Sequence, residues 1–136
     1  AFEQRGLNAD VSLVRAGEPT IGHGRAAMAD LPGRVTAIIA AGTLLTEGMV
    51  DVLNHKGLAA PGDLSVVGFG IEKWHDWWCG GLTRIIPPVE LLAETSAQHL
   101  LTRIGEVEPS VAASPKLVQH ATRLSIGTTT GPAPGR

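Results

Sequence analysis

The sequence predicts an α/β fold, a parallel sheet flanked by helices. Strand-like and helix-like segments alternate along its 136 residues. Two of the strands, residues 36–41 (TAIIAA) and 64–69 (LSVVGF), are nearly continuous apolar runs. Alternation of this kind is how crossover units are built. Unbroken apolar runs are what strands of a parallel sheet contain when both of its faces are covered. Each of the two is therefore expected to be almost fully buried, and the two to lie side by side in parallel.

The elements follow in order. AFEQRGL (residues 1–7) reads as the last turn of a helix with Gly6 just past its end, so the sequence reads as a piece of a longer chain. VSLVRA (11–16) is strand-like and is closed by Gly17, Glu18 and Pro19. TIGHGRAAMADL has helical potential, weakened by Gly22 and Gly24 and ended by Pro32 and Gly33. After the TAIIAA strand, Leu45, Met49, Val52 and Leu53 share one helical face, and Lys56-Gly57 closes that helix. A turn at Pro61, Gly62 and Asp63 leads into LSVVGF. A tryptophan-rich loop and a short strand, LTRII, come next. Pro88 sits where a first helical residue belongs, and Val89, Leu92, Ala93, Ala97, Leu100, Leu101 and Ile104 mark an amphipathic helix ending near Gly105. A linker with Pro109 and Pro115, one or two strands in KLVQHATRLSI, and a mobile tail, TTTGPAPGR, complete the chain.

Composition narrows the function. A hydrophobic content of 43%, a charged content of 18% and a mean hydropathy of +0.14 describe a globular chain. The net charge of −2 and the scattered Lys and Arg argue against nucleic-acid binding by this segment. Cys79 is the single cysteine, which excludes an internal disulfide and fits a reducing compartment. No apolar run is long enough to span a bilayer, and the N-terminus lacks a basic stretch followed by an apolar one.

In open α/β sheets, ligands bind where loops leave the C-terminal ends of the strands. Three loops qualify: residues 17–20, 42–44 and 70–79. Gly22, Gly24 and Ala27 superficially match a dinucleotide-binding turn, but Glu18, Pro19 and Thr20 already occupy the strand-to-helix turn, and the second strand ends Ala41-Gly42 without an acidic residue for a ribose. Gly24 reads better as a close-packing site between helices. In WHDWWC, His75, Asp76 and Cys79 are metal-ligand or nucleophile–base residue types. As near neighbours in sequence they point in different directions, and no second cluster completes a site, so neither metal nor cofactor is expected. His23, His55, His99 and His120 are dispersed singly. All three tryptophans fall in this loop. Trp77 and Trp78 read as packing residues, whereas for Trp74, nearest the strand end, ligand contact and packing weigh equally.

Residues 36–70 (TAIIAAGTLLTEGMVDVLNHKGLAAPGDLSVVGFG) closely resemble the effector-binding domain of LacI/GalR-type bacterial transcription repressors. The pattern there is T-A-I-F-A-A-N-D, a helix ending A-G-L, then P-x-D-V-S-V-V-G-F-D-D. The resemblance continues through LTRIIPP (82–88), and Gly17, Gly24 and RLSIGTTTGP fit its flanks. It implies a periplasmic-binding-protein-like (type I) fold of two subdomains, incomplete here at the N-terminal end. Residues 1–87 are then expected to be the C-terminal subdomain, 88–115 a helix and linker of the N-terminal subdomain, and 116–136 returning strands and tail. The implied function is that of the effector-binding and dimerisation segment of a cytoplasmic regulator. It would sense a small molecule by subdomain closure and reach operator DNA only through a DNA-binding part outside this chain. It would be a homodimer, with no enzymatic activity and no membrane contact. A solute-binding protein of the same fold, serving a transporter, is the alternative.

The departures bear on the ligand. The family's Asn-Asp is Gly42-Thr43 here, its Asp-Asp is Gly70-Ile71, its polar hinge residue is Pro87, and the Arg of its closing strand is Gly127. With those polar groups gone, the effector is expected to be less polar than a simple sugar. The ligand-binding residues expected are Thr20, Gly42, Thr43, Gly70, Ile71 and Trp74. Thr43 is expected to cap its helix. Thr20 and the N–H groups at helix starts are suited to a carboxylate or phosphate.

Overall fold

The computed structural model describes residues 3–6, 8, 10–105 and 117–133. Four strands, β1 (Ala37–Ile39), β2 (Ser65–Phe69), β3 (Thr83–Ile86) and β4 (Arg123–Ser125), form one sheet in the order β1-β2-β3-β4. β1 and β2 are parallel neighbours, as the two apolar runs predict, and β3 lies parallel beside β2, with Ile38 opposite Val66 and Gly68 opposite Arg84. β4 runs antiparallel to β3, so the sheet is mixed. A parallel return needs a helix laid back along the sheet. The helix before β4, α3 (Val89–Gly105), makes no such contact, and the chain re-enters from the opposite end.

Helix α2 (Thr43–Lys56) is the crossover between β1 and β2 and ends where the sequence predicts. Gly57 adopts φ 63, and its N–H reaches the carbonyls of Asn54 and Leu53. α2 buries Thr46, Met49, Val50 and Leu53. They join Leu64, Val66, Trp78 and Leu82 in a single core. Helix α1 (Ile21–Ala29) starts at Thr20, whose hydroxyl accepts the His23 N–H, and lies alongside α2. The contact is glycine on glycine. A Cβ on Gly24 would sit 2.7 Å from the Leu45 carbonyl oxygen, and one on Gly48 would sit 3.0 Å from Gly24 Cα. Gly24 is thus a packing glycine inside a helix, which removes it from any nucleotide-binding turn.

Three expectations are corrected. Residues 11–16 are not a strand: Val11–Leu13 form a 3₁₀ turn held by the Asp10 carboxylate, which accepts the Ser12 N–H at 3.0 Å. β-branched residues make a strand only beside a partner edge. Among the described residues none lies there, and Val11 is 80% exposed. Second, β1 is not buried on both faces, since Ala37 and Ile39 face outward and Ile39 is 66% exposed. Both α1 and α2 belong to the face of Val66 and Gly68. The opposite face, with Ile39, Val67, Phe69, Ile85 and Leu124, carries no helix among the described residues. Third, the tail is anchored through residues 128–131. Thr129 is fully buried, its carbonyl accepts the Val66 N–H at 2.8 Å, and its hydroxyl accepts the Thr83 N–H at 2.9 Å. Side-chain and main-chain groups of these threonines satisfy the ends of β2 and β3, where the strands have no other partner. Of the one or two strands expected in KLVQHATRLSI, one is present among the described residues, Arg123–Ser125. The linker prolines 109 and 115 lie outside the described residues.

Helix α3 forms as predicted, but none of its residues is buried. Leu92, Leu100 and Ile104 are 41%, 61% and 71% exposed. Among the described residues a segment ending at His120 leans on it, where the His120 Nε2 lies 3.0 Å from the Thr95 hydroxyl. Among the described residues no helix is long and apolar enough to cross a membrane.

Candidate functional site

The end of β2 and the start of α2 meet at the C-terminal edge of the sheet. Thr46 fixes the two elements to each other, its hydroxyl donating to the Gly42 carbonyl at 2.8 Å and accepting the Phe69 N–H at 2.9 Å. This locks Gly42 and Thr43 beside Gly70. Gly42 is the N-cap of α2 and offers no side chain to it, so Thr43 is the first helical residue and does not cap. That corrects the expected cap. It also leaves the first N–H groups of a 14-residue helix without a side-chain acceptor.

Gly70 explains its own departure from the family pattern. Its φ is +132, a region that side-chain-bearing residues avoid. A Cβ there would lie 3.0 Å from Thr43 Oγ1 and 3.0 Å from His75 Cε1, and would run into the Glu72 carboxylate. A side chain at 70 would strain this backbone, and the Glu72 carboxylate lies against the point where it would begin.

His75 is the second unexpected member. It has no exposed surface, and its ring nitrogens make no hydrogen bond of good geometry, the Gly70 backbone being the polar main-chain group beside them. Its Nδ1 lies 3.8 Å from Glu72 Oε2, within ion-pair reach but beyond a hydrogen bond. That oxygen is itself buried and unpartnered, although the Glu72 side chain as a whole is 38% exposed. Burial pushes the His75 pKa below the ordinary imidazole value, while the Glu72 carboxylate pulls it back up. Buried polar atoms left unmatched cost roughly 1–3 kcal/mol each, so this cluster is expensive unless something satisfies it.

The remaining loop residues brace the site. Trp74 is half-buried, edge-on to His75 with ring centroids 4.1 Å apart. Trp78 belongs to the core and donates its Nε1–H to Asn54 Oδ1 at 3.1 Å. Packing within the chain therefore accounts for Trp78 but not for Trp77, which is 70% exposed. Asp76 pairs with buried Arg84 of β3 at 2.6 Å, which pins the loop to the sheet. Cys79 is exposed while His75 is enclosed, and no hydrogen bond joins them, so they form no nucleophile–base pair. Among the described residues no three His, Cys, Asp or Glu side chains gather closely enough to hold a metal ion.

Of the residues picked out in the sequence, Gly42, Thr43 and Gly70 come together, with Ile71 (52% exposed) and Trp74 on the adjoining turn. Thr20 is exposed at the start of α1, where its hydroxyl is already engaged by its own helix. Glu72 and His75 were not among the ligand residues expected from the sequence; the structure places both beside Gly70 and Thr43.

The sequence pattern of the periplasmic binding protein-like domain family matches residues 1–130. The HTH-type transcriptional regulator GalR of Salmonella typhimurium is 31% identical, over 96% of this chain and 39% of its own length. The HTH-type transcriptional repressor PurR of Yersinia enterocolitica is 33% identical, over 64% of this chain and 26% of its own. Among solved structures, the transcriptional regulator CelR in complex with cellobiose superposes with a TM-score of 0.77 at 30% identity, covering 95% of this chain and 39% of that one. The chain thus spans well under half the length of these relatives.

Proposed function

The chain belongs to the periplasmic-binding-protein-like domain family in its LacI-type form, and from that premise we propose that it is the effector-binding and dimerisation segment of a LacI-type DNA-binding transcription regulator. The observation that carries the reading is the convergence of Gly42, Thr43, Gly70 and the residue 70–79 turn at the C-terminal edge of the sheet. The buried Glu72 Oε2 and the His75 ring nitrogens in that turn lie against it. That is where ligands enter sheets of this kind, and CelR, of the same fold, is a cellobiose complex. The relatives are regulators by name, which favours this reading over a transporter's solute-binding protein.

On this reading residues 1–87 serve as the C-terminal subdomain, 88–115 as a helix and linker of the N-terminal one, and 116–136 as the return. The ligand residues are Gly42, Thr43, Gly70, Ile71 and Trp74, with Thr20 at the margin. The effector is small and less polar than a simple sugar, since the family's several polar side chains reduce here to few. It acts by its differential affinity for open and closed subdomain arrangements. The protein works in the cytoplasm as a homodimer without enzymatic activity, and it reaches operator DNA through a part outside this chain. The open stripe of α3 supports association, because burying each large aliphatic side chain is worth roughly 1.5–3 kcal/mol and monomers seldom leave such patches bare.

The test is a mobility-shift assay of the complete protein that carries this chain, on the DNA upstream of its own gene. Retardation that responds to a small molecule is the expected result. A complete protein that binds no DNA but delivers solute to a transporter would refute the proposal.

A further inference from the structure

We infer that two copies of this chain associate by exchange, the apolar stripe of α3 in each lying on the open sheet face of the other. The inference rests on the homodimer of the reading above and names the two surfaces that make it. One chain carries both of them uncovered. On α3, Val89, Ala93, Leu100 and Ile104 fall on one side of the helix and all are exposed. On the sheet, the face away from α1 and α2 holds Ile39, Phe69, Ile85 and Leu124, and carries no helix among the described residues. Ile39 and Leu124 are largely exposed there. An apolar helix stripe and an apolar sheet face are the two layers that α/β folds pack together.

The connection between them keeps the two faces of a single chain apart. β3 passes into α3 through Pro87-Pro88 alone, and the Leu92 N–H closes the first helical turn on the Pro88 carbonyl at 2.9 Å. Two proline rings fix the backbone at that joint, and the residue before each proline is held extended. α3 is thereby prevented from turning back onto the strand it has just left, and among the described residues it touches no strand of its own sheet. A short, stiff hinge of this kind favours covering the face with the same element from a second copy.

The area suffices for a dimer. At 17 residues α3 is about 25 Å long, and with a width of about 10 Å it has a footprint of about 250 Å². Exchange about a twofold axis makes two such contacts, each removing surface from both partners. The total is about 1,000 Å², which is what a specific interface needs to clear. Helix-on-helix pairing would bury one stripe per copy and leave both sheet faces bare.

The experiment uses the chain in two forms, Leu100→Cys and Leu124→Cys, each with Cys79→Ser so that no other thiol is present. Both positions are exposed in the single chain, so neither change disturbs its folding. Sedimentation equilibrium of the unsubstituted chain should find a dimer at high micromolar concentration. Leu100→Glu and Leu124→Glu should each weaken it at least about tenfold, because a charge is then placed against apolar side chains. With a short bis-maleimide, a mixture of the two cysteine forms should cross-link between unlike chains several times more than either form alone. Pro87→Gly combined with Pro88→Gly, which frees the hinge, should raise the monomer fraction. Cross-links confined to like chains, or a dimer indifferent to Leu124→Glu, overturn the exchange and leave the homodimer standing. A chain that stays monomeric throughout overturns both, without touching the effector-binding reading. A monomer fraction unchanged in the double glycine variant overturns the part given to the hinge.

Discussion

Helices α2 and α3 make an instructive pair. Both are amphipathic, both end at a glycine, and both are legible in the sequence at nearly their observed length. Yet α2 buries Thr46, Gly48, Met49, Val50 and Leu53, while α3 buries nothing. An apolar stripe states what a helix is able to cover, and whether a covering partner exists is a property of the rest of the molecule. The same holds for the sheet. Val66 and Gly68 look onto α2, whereas Phe69, Ile85 and Leu124, equally apolar in sequence, look outward.

The comparison breaks most readily in the core. Leu53→Ala is expected to destabilise the chain by about 2–5 kcal/mol, read by urea unfolding, because Leu53 has no exposed surface. Leu100→Ala on α3 should stay within roughly 0.5 kcal/mol under conditions where the chain is monomeric. Comparable losses at the two sites would mean that α3 is packed in solution and that the contrast is false.

The next effect lies between α1 and α2. Gly48→Ala forces a methyl against the Ile21 carbonyl and Gly24, and should cost about 1–3 kcal/mol in the same assay. A neutral outcome would mean the helices separate easily and that their contact positions nothing.

A smaller effect, in pH, sharpens the contrast between the site and the rest of the chain. His75 has a folded pKa below its unfolded value of 6.5, so the unfolded chain binds more protons as pH falls past that point. The stability this group supplies is complete above pH 6.5 and is lost as pH falls toward and through the lowered folded pKa. Unfolding free energies measured between neutral and mildly acidic pH should therefore decline, and should decline less in His75→Gln. Parallel profiles for the two proteins would show that the ring is not enclosed.

The smallest effect on folding, and the one most specific to α3, is on association. Leu92→Glu and Leu100→Glu should leave the unfolding midpoint of the monomer almost unchanged while lowering the sedimentation coefficient at high protein concentration. A wild-type chain that stays monomeric there, unaffected by either change, would remove α3 from the dimer proposal.

These contrasts also mark what the sequence could convey. Strand identity in β2, the parallel β1–β2 pair and the Gly57 stop were legible because period, propensity and capping are local. The turn at Val11–Leu13 was not, since its residues suit a strand and only the absence of a neighbouring edge decides against one. The anchoring of Thr129 was not legible either, because a threonine-rich tail looks mobile until its hydroxyl is seen between β2 and β3. At the site, the candidate loops were picked out by the rule that ligands enter such sheets at the C-terminal ends of the strands. The conjunction of Glu72 with His75 depends on a glycine at φ +132 that folds the turn back on itself, a feature of backbone geometry alone.

The central claim, that the junction between the start of α2 and the end of β2 receives a small molecule, is tested most directly by backbone amide shifts during titration with cyclohexanediol. The account predicts the largest changes at Thr43, Gly70, Ile71 and Glu72 and in the Trp74 side chain, with α3 silent. Changes centred on α3 or on the open face at Phe69 and Ile85, or none anywhere in a folded chain, would contradict it.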